Sequence, residues 1–405
     1  MTSKDPVWIT GVGAATPIGN SFTEITRNLL EGKSGVSRVS HFEVTNHPSQ
    51  IAATLQSIEC PKEWSEEDFY CHPKLNQIML SAVIDALVDA DYWHQRDRLR
   101  IGLVMGTAAE WILEWETGTL VHGNPLCDPA FDPPSAVLEI QQKLHLSGPA
   151  TTISAACATG NFALAQARRW LQLGWVDVCL AGACDCAVTP MTLAGFGNLR
   201  ALTRQNHRPQ QASRPFDRDR DGFVLGEGGV IFVLEKASQA RRRRARVYGE
   251  LAGCGLSSDA YHLVIPSPDP TYAVSAMRAA LKDAQINPNE VDYINAHGTS
   301  TPVGDVSETK AIREVFGEHA SAIPVSSTKS MTGHLLTAAS ALEALACLST
   351  FQEDAIPPTL NLDNPDPDCD LCHVPHTSRQ QKVQIAISNS FGFGGSNSCA
   401  VFRAA

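Results

Sequence analysis

The stretch TTISAACATGNFALAQARRWLQ, residues 151–172, joins a strand pattern to a helix pattern through a run of small residues. The β-branched residues at its start favour a strand, and an amphipathic helical pattern follows. Cys157 lies where the helix begins, next to alanines and Gly160. Free backbone N–H groups and the dipole at a helix start favour the reactive thiolate form of a cysteine. The chain has 12 cysteines, and such residues are often small core side chains, so both interpretations stay open for Cys157 here.

The composition indicates a globular protein with a large buried interior. Of the 405 residues, 43% are hydrophobic and 19% are charged, and this length predicts two domains or one duplicated fold. The net charge of -11 disfavours nucleic acid as a partner, because phosphate binding needs a broad basic surface. The sequence shows no signal-peptide pattern and no apolar run near the ~18–20 residues of a membrane span. Since the cysteines also lack paired zinc spacing, we expect no metal site, no membrane association and a reduced, cytoplasmic protein.

Alternating strand and helix patterns predict an α/β fold with two similar halves. Strand patterns of the first half lie at 7–13, 100–106, 151–154, 176–183 and 228–235. The helical patterns between them indicate parallel sheets covered by helices. The pattern restarts after the arginine run at 241–244, without a linker rich in Gly or Ser. We therefore expect an N-terminal half, residues 1–250, that carries Cys157, and a C-terminal half, residues 251–405, packed against it.

Three segments of the second half carry groups from which a site can form. They are NAHGTSTPVGD (295–305), SSTKSMTGHLLTAAS (326–340) and SNSFGFGGSN (388–397). His297 follows a predicted strand directly, and α/β proteins build sites at strand ends. Lys329 and His334 precede a helix of small residues, and the glycine-rich loop can turn backbone N–H groups towards an oxyanion. Taken singly, each segment is also typical of a structural loop.

The order of these motifs resembles that of the elongating β-ketoacyl-acyl carrier protein synthases, which are thiolase-fold condensing enzymes. Besides the segments above, the matching stretches are VWITGVGAATPIG (7–19), SAACATG (154–160), AGACDCAVTPMTLAGFGNLRALT (181–203) and ASRPFDRDRDGFVLGEGG (212–229). The resemblance implies a thiolase-like fold whose two similar α/β halves hold mixed five-stranded sheets in a layered αβαβα arrangement. It also implies a decarboxylative Claisen condensation of an acyl-cysteine with a malonyl carrier protein. The product is a 3-oxoacyl carrier protein, in fatty-acid or polyketide-type chain elongation.

The resemblance also implies roles for individual residues. The catalytic positions are Cys157, His297, His334 and Lys329, with Glu343 as the acidic partner of the lysine. The further positions are the backbone N–H groups of Cys157 and Phe393 for the oxyanion hole, Phe391 and Phe393 for a gate, Thr299 and Thr301 for the pantetheine arm, and Thr107 for the acyl pocket. A thiolate accepts the acyl group and two imidazoles stabilise the enolate, so the chemistry needs no metal and no cofactor. Phosphopantetheine on the acyl carrier protein carries the substrates.

Several positions depart from the family's pattern. Thr337 and Ser340 stand where the family usually has glycine, which predicts different packing after His334. Thr107 stands where many relatives carry a larger aliphatic residue. The segment 63–79 lacks the basic cluster with which relatives dock the acidic carrier protein. The pocket and the docking surface are therefore the features in which we expect this chain to be specialised.

These departures leave a second function open. It is a specialised ketosynthase or a chain-length-factor-like subunit of a secondary-metabolite or unusual-lipid pathway, acting in a heterodimer. Non-catalytic subunits of that kind typically lose the cysteine and the histidines, and this chain keeps all three. We expect an acyl carrier protein as partner, docked by Arg204, Arg208 or the run at 241–244. A homodimer is the expected assembly, and a heterodimer with a homologous subunit is the alternative.

Overall fold

The computed structural model describes residues 5–108, Glu116 and residues 135–405. Its strands are β1 Val7–Ala15, β2 Val36–Arg38, β3 Ile51–Ala53, β4 Ile101–Gly106, β5 Ala150–Ile153, β6 Val178–Asp185, β7 Leu225–Gly226, β8 Gly228–Lys236, β9 Gly249–Ser258, β10 Tyr293–Asn295, β11 Pro324–Ser326, β12 Ala355–Ile356, β13 Cys372–His373, β14 Arg379–Gln380, β15 Ile385–Gly392 and β16 Ser396–Arg403. Its α-helices are α1 Phe22–Leu30, α2 Glu66–Tyr70, α3 Lys74–Asp89, α4 Ala136–Lys143, α5 Thr159–Leu173, α6 Pro190–Asn198, α7 Pro209–Ala212, α8 Ala237–Arg243, α9 Thr271–Ala284, α10 Pro302–Phe316, α11 Lys329–Thr332 and α12 Ala339–Glu353. No helix within these ranges is long and apolar enough to cross a bilayer.

Eleven strands form one sheet, in the order β13-β11-β10-β15-β16-β9-β1-β8-β6-β4-β5. On the β1 side, β1, β8 and β6 pair antiparallel, and β6, β4 and β5 pair parallel. On the β9 side, β9, β16 and β15 pair antiparallel, and β15, β10 and β11 pair parallel. The two mixed five-stranded sheets expected from the sequence are therefore both present, with the same strand order, and β13 extends one of them.

The two five-stranded sheets meet at a short junction. There β1 pairs with β9 only at Trp8 and Ile9, opposite Glu250 and Gly249. The pairing of these two edges makes the sheets continuous, whereas the division of the chain into halves at residue 250 stays a prediction.

Helices α5 and α12 form a buried layer between strands of both halves. Apolar side chains of both helices share one core cluster with residues of β1, β6, β8, β15 and β16. The two helices approach closely at Gly160, where a Cβ atom would lie 2.5 Å from the backbone nitrogen of Ala341. This layer places the start of α5, next to Cys157, beside the segment that follows His334. It agrees with the layered thiolase-like arrangement that the sequence predicts.

Candidate active site

Cys157 lies in a tight turn between β5 and α5. Within this turn Ala156 has φ +48°, a left-handed conformation that non-glycine residues rarely adopt. The hydroxyl of Thr159 donates to the Ala156 carbonyl at 2.6 Å and accepts from the N–H of Ala155 at 2.8 Å. These bonds close the turn, and the side chain of Cys157 is left at the start of the helix, 7% exposed.

Both predicted histidines reach this cysteine from distant parts of the chain. His334 Nε2 lies 3.0 Å from Cys157 Sγ, although the two residues are 177 positions apart. The ring centroids of His297 and His334 are 5.5 Å apart and their planes are nearly perpendicular, at 84°. Nitrogen atoms of both rings and the sulfur all lie within 4.8 Å of one another. The structure therefore brings the Cys-His-His set together, as the sequence predicts.

Backbone bonds to the segment around β7 hold His334 in place. Its N–H donates to the carbonyl of Val224 at 2.7 Å, and its carbonyl accepts from the N–H of Gly226 at 2.9 Å. The preceding Gly333 has φ +64°, which turns the chain into this pairing. The imidazole packs edge-on against Phe223, with ring centroids 5.2 Å apart. A strand-like contact and an aromatic wall thus orient the ring.

Lys329 is a buried cation, 2% exposed, with three partners. Its Nζ donates to Glu343, to the carbonyl of His297 at 2.6 Å and towards His297 Nδ1 at 3.3 Å. Since Nδ1 accepts from the ammonium group, the ring proton of a neutral His297 is on Nε2. Burial lowers the pKa of His297 and of His334 well below the usual value, and the charge of Lys329 lowers both further. Both imidazoles are therefore neutral at neutral pH.

The environment of Cys157 favours a resting thiol. Burial raises its pKa to about 11, while the Lys329 charge and the N–H of Phe393 lower it. The N–H groups and the dipole at the helix start, as expected from the sequence, favour thiolate. Burial outweighs them here, so the thiol has to lose its proton when substrate arrives, and His334 Nε2 is the adjacent acceptor.

The glycine-rich loop lies directly against the Cys157 turn. A Cβ atom at Gly392 would lie 2.7 Å from the carbonyl oxygen of Ala155 and 3.1 Å from the nitrogen of Cys157. This close approach brings the backbone N–H of Phe393 near the Cys157 thiol, where it lowers the pKa of that thiol. The hydroxyl of Ser390, which the sequence analysis did not single out, donates to the Cys157 carbonyl at 2.8 Å. The loop therefore turns a backbone donor towards the sulfur.

Two aromatic side chains of this loop flank the site on different sides. The ring of Phe391 lies 5.8 Å from that of His297, in an edge-on arrangement. The ring of Phe393 lies 6.1 Å from that of Phe196. Both side chains line the cavity that reaches Cys157, and their gating role stays a prediction.

A buried carboxylate, Glu308, holds the backbone of the His297 turn. Its oxygens accept from the N–H groups of His297 at 2.8 Å and of Gly298 at 2.7 Å. Burial raises its pKa to about 7. Asp305 has a related place: it accepts from the N–H of Phe216 at 2.8 Å, and burial raises its pKa to about 6. Both carboxylates therefore accept hydrogen bonds from buried backbone N–H groups near the site.

Thr299 and Thr301 lie on one wall of the cavity. Their hydroxyls are 2.9 Å apart, and that of Thr301 also accepts from the Gly304 N–H, which caps α10. Thr107 is buried at the end of β4, and within the described residues its neighbour Ala108, rather than Thr107 itself, lines the cavity. The pantetheine and acyl-pocket roles stay predictions.

A cavity of about 560 Å³ gives access to Cys157. Asp185, at the end of β6, is a buried carboxylate in its wall that sequence reasoning missed. Its position after a buried strand was the available signal. Large exposed apolar side chains also line the cavity or adjoin its lining: Leu199, Leu263, Ile265 and Val303.

Within the described part of the chain, one group of side chains has the geometry to bind a metal ion, and it consists of Cys157, His297 and His334. However, Lys329 donates to His297 Nδ1 at 3.3 Å, so its positive charge lies beside the same ring. A divalent cation would be repelled there. The donor set therefore suits an acyl acceptor better than a metal.

The chain matches known proteins over nearly its whole length. Residues 4–240 match the model of the β-ketoacyl synthase N-terminal domain, and residues 248–363 match that of the C-terminal domain. The 3-oxoacyl-[acyl-carrier-protein] synthase 2 of Vibrio harveyi is 40% identical over 410 residues, which cover 99% of each chain. The protein of the same name from Staphylococcus aureus (strain COL) is 36% identical over 414 residues, which cover 100% of this chain and 99% of that protein.

Solved structures show the same similarity. One holds a type II polyketide synthase acyl-carrier protein in complex with its ketosynthase bound to the hexaketide, and it matches with a TM-score of 0.90 at 34% identity. Another is the ishigamide ketosynthase/chain length factor, with a TM-score of 0.89 at 32% identity. Both matches cover 100% of each chain.

Proposed function

This chain belongs to the β-ketoacyl synthase family, and on that basis we propose that it catalyses the condensation of an acyl group with a malonyl unit, both carried by acyl carrier protein. The product is a 3-oxoacyl carrier protein, longer by two carbons. The convergence of Cys157 Sγ with His334 Nε2, 3.0 Å apart, and with neutral His297 carries this assignment.

The first step loads the acyl group on Cys157. The sulfur attacks the thioester carbonyl while its proton passes to His334 Nε2, and the new C–S bond replaces the bond to the carrier. The carrier leaves as a thiol after taking up that proton. The Phe393 N–H faces the sulfur, so it can donate to the oxyanion of the tetrahedral intermediate.

The second step forms the carbon–carbon bond. The malonyl group loses CO₂, and the electron pair of the broken bond forms an enolate whose oxygen accepts from Nε2–H of His297. The enolate carbon attacks the acyl-cysteine carbonyl, and the C–S bond breaks to release the thiolate, which takes up a proton from water to restore the resting thiol. Every electron pair comes from a substrate bond, so we infer that no metal or redox cofactor takes part.

The carrier protein docks, in this proposal, at the cavity mouth. Arg200 lines the cavity, and Arg204 and Arg208 are exposed on the segment that follows it. The run at 241–244 lies beyond the far end of β8, whose nine residues span roughly 26 Å from the strand end beside Asp185. An acidic carrier protein at the cavity mouth is therefore closer to Arg200, Arg204 and Arg208 than to the run at 241–244.

Fatty-acid elongation is the first candidate pathway, because relatives 40% identical to this chain are named 3-oxoacyl-[acyl-carrier-protein] synthase 2. A polyketide-type pathway with a heterodimer is the second, because neighbours of similar structure are a polyketide ketosynthase and a ketosynthase/chain length factor. Strand β5 ends the sheet and has an unpaired outer edge within the described residues, which suits pairing with a second subunit in either case. Residence in the cytoplasm completes the proposal.

A loading and extension assay tests this function. The protein is incubated with malonyl carrier protein and a ladder of acyl carrier proteins, and mass spectrometry identifies the loaded residue and the products. We expect the acyl mass on Cys157 and loss of all condensation in Cys157→Ala. Cys179→Ala is the matched control, because Cys179 is buried in β6 away from the cavity. Condensation that persists in Cys157→Ala contradicts the proposal.

A further inference from the structure

The buried Asp185 in the cavity wall has no role in the chemistry above. It is 1% exposed and lines the same cavity as Cys157. Burial raises its pKa to about 6, and its charge raises the pKa of Cys157. A buried carboxylate is costly, and this one also opposes formation of the thiolate. The reason for its presence therefore lies in the groups that it binds.

Asp185 accepts hydrogen bonds from the segment that carries His334. Its Oδ2 accepts from the hydroxyl of Thr337 at 2.7 Å and from the N–H of Thr337 at 3.2 Å. Its Oδ1 accepts from the N–H of Cys186 at 3.0 Å. Between His334 and Thr337, Leu336 has φ +49°, a left-handed conformation that favours glycine. Tertiary contacts are needed to hold a leucine in that conformation, and the Asp185 bonds supply them.

A second hydroxyl ties the same segment to the helix that follows Cys157. The Oγ of Ser340 accepts from the N–H of Asn161 at 3.2 Å. Asn161 lies in the first turn of α5, where N–H groups have no partner within the helix. Thr337 and Ser340, which replace glycines of the family's pattern, thus each bond to an element of the N-terminal half.

We propose that Thr337, anchored by Asp185, is a positioning residue that holds the imidazole of His334 against the sulfur of Cys157, with Ser340 as a second anchor. The inference rests on the proposed condensation. Backbone pairing with β7 holds the N–H and the carbonyl of His334 itself, and the Thr337 bonds hold the segment that follows it. Because the two catalytic residues come from different halves, a bond between the halves sets the distance between them.

The direct test replaces Thr337 by Val, which keeps the shape of the side chain and removes its hydroxyl donor. A displacement of His334 by a fraction of an ångström is expected to lower kcat about 10- to 100-fold, with KM for the carrier-linked substrates within about twofold. Thr337→Ser restores the donor and is expected to recover kcat to within about threefold. Thr350→Val is the matched control: it is a buried threonine on α12 whose hydroxyl donates only to Cys347 of the same helix.

A second measurement does not depend on condensation. The rate of alkylation of Cys157 by iodoacetamide, read by peptide mass spectrometry, reports how well His334 accepts the thiol proton. We expect slower alkylation in Thr337→Val and the wild-type rate in Thr337→Ser. Unchanged alkylation in Thr337→Val overturns the positioning role, because His334 then accepts the thiol proton equally well without the Thr337 hydroxyl. Faster alkylation also overturns it, because loss of the donor then acts on Cys157 only through the charge of Asp185.

The two proposals fail in different ways. If the wild-type protein does not condense acyl groups, the proposed function fails, while the alkylation rates still test the positioning of His334. If Thr337→Val keeps the wild-type kcat, or Thr337→Ser loses as much as Thr337→Val, the positioning role is wrong. Thermal unfolding checks that each variant folds. Should Thr337→Val not fold, Ser340→Ala serves instead, with an expected loss in kcat of about threefold or more, and an unchanged kcat overturns the role.

Discussion

Substitution of Gly392 by Ala tests whether the glycine-rich loop supplies an oxyanion donor. Gly392 has φ -96° and ψ 154°, which alanine adopts without backbone strain, so any effect comes from the added methyl group. That Cβ would lie 2.7 Å from the Ala155 carbonyl oxygen and 3.1 Å from the Cys157 nitrogen. Since both are backbone atoms of the Cys157 turn, the loop has to move away from it.

The size of the effect follows from this geometry. An ordinary contact between a methyl carbon and a carbonyl oxygen is about 3.4 Å or longer, so the loop shifts by roughly 0.7 Å. The Phe393 N–H shifts with it and no longer reaches the acyl oxygen at good hydrogen-bond distance. Complete loss of one such donor costs about 100- to 1000-fold in kcat. For a partial displacement we expect a decrease of about 10- to 100-fold.

The assay separates loading from extension. Acyl transfer from the carrier to Cys157 is followed by intact-protein mass spectrometry at saturating acyl carrier protein, and we expect its rate to fall. Gly195→Ala is the control, because a Cβ atom at Gly195, within α6, meets no other atom within 4 Å. A Gly392→Ala variant that folds and loads at the wild-type rate would refute the oxyanion role of this loop.

Two further variants test the buried charges. Lys329→Met removes the cation that binds Glu343 and His297. We expect kcat to fall at least about 10-fold and the free energy of unfolding to fall by about 3 kcal/mol. The double variant that adds Glu343→Gln should recover stability but not activity, and recovery of activity would contradict a role of Lys329 at His297. Glu308→Gln tests the raised pKa of Glu308, about 7 against an ordinary 4.5. With this raised pKa, the folded protein loses about 3 kcal/mol of stability progressively as the pH rises from 4.5 to 7, because the carboxyl ionises more readily in the unfolded chain. Urea unfolding should therefore show Glu308→Gln gaining stability relative to wild type over that range. An equal pH dependence of the two proteins would exclude the raised pKa of Glu308.

Local sequence patterns predict the elements that carry the site. β-Branched residues followed by small residues and a helical pattern place a turn at Cys157, and the structure has this turn between β5 and α5. The glycines of the 388–397 segment predict a loop with backbone donors, and that loop contacts the Cys157 turn. These features depend on conformational preferences of neighbouring residues, so the sequence is sufficient to predict them.

The identity of the catalytic set depends on the motifs taken together. The pattern around Cys157 alone favours a core cysteine over a nucleophile, and His297 alone is typical of a structural loop. Only the order of several motifs, and their resemblance to one family, assigns these residues to one site. The distance of 3.0 Å between His334 Nε2 and Cys157 Sγ then shows that two parts of the chain 177 residues apart meet there.

The sequence, through its patterns and its resemblance to one family, predicted the α/β fold with two mixed sheets and named Cys157, His297, His334 and Lys329 as candidate site residues. The protonation states of those residues depended on tertiary structure, because burial and the Lys329 charge set the pKa of a group and neither can be read from its neighbours along the chain. Tertiary structure also placed Asp185 beside Thr337, since a hydrogen bond between the two halves forms only once both have folded and packed. The sequence thus determined the chemical groups of the site, and the packing of the halves determined their distances and charges.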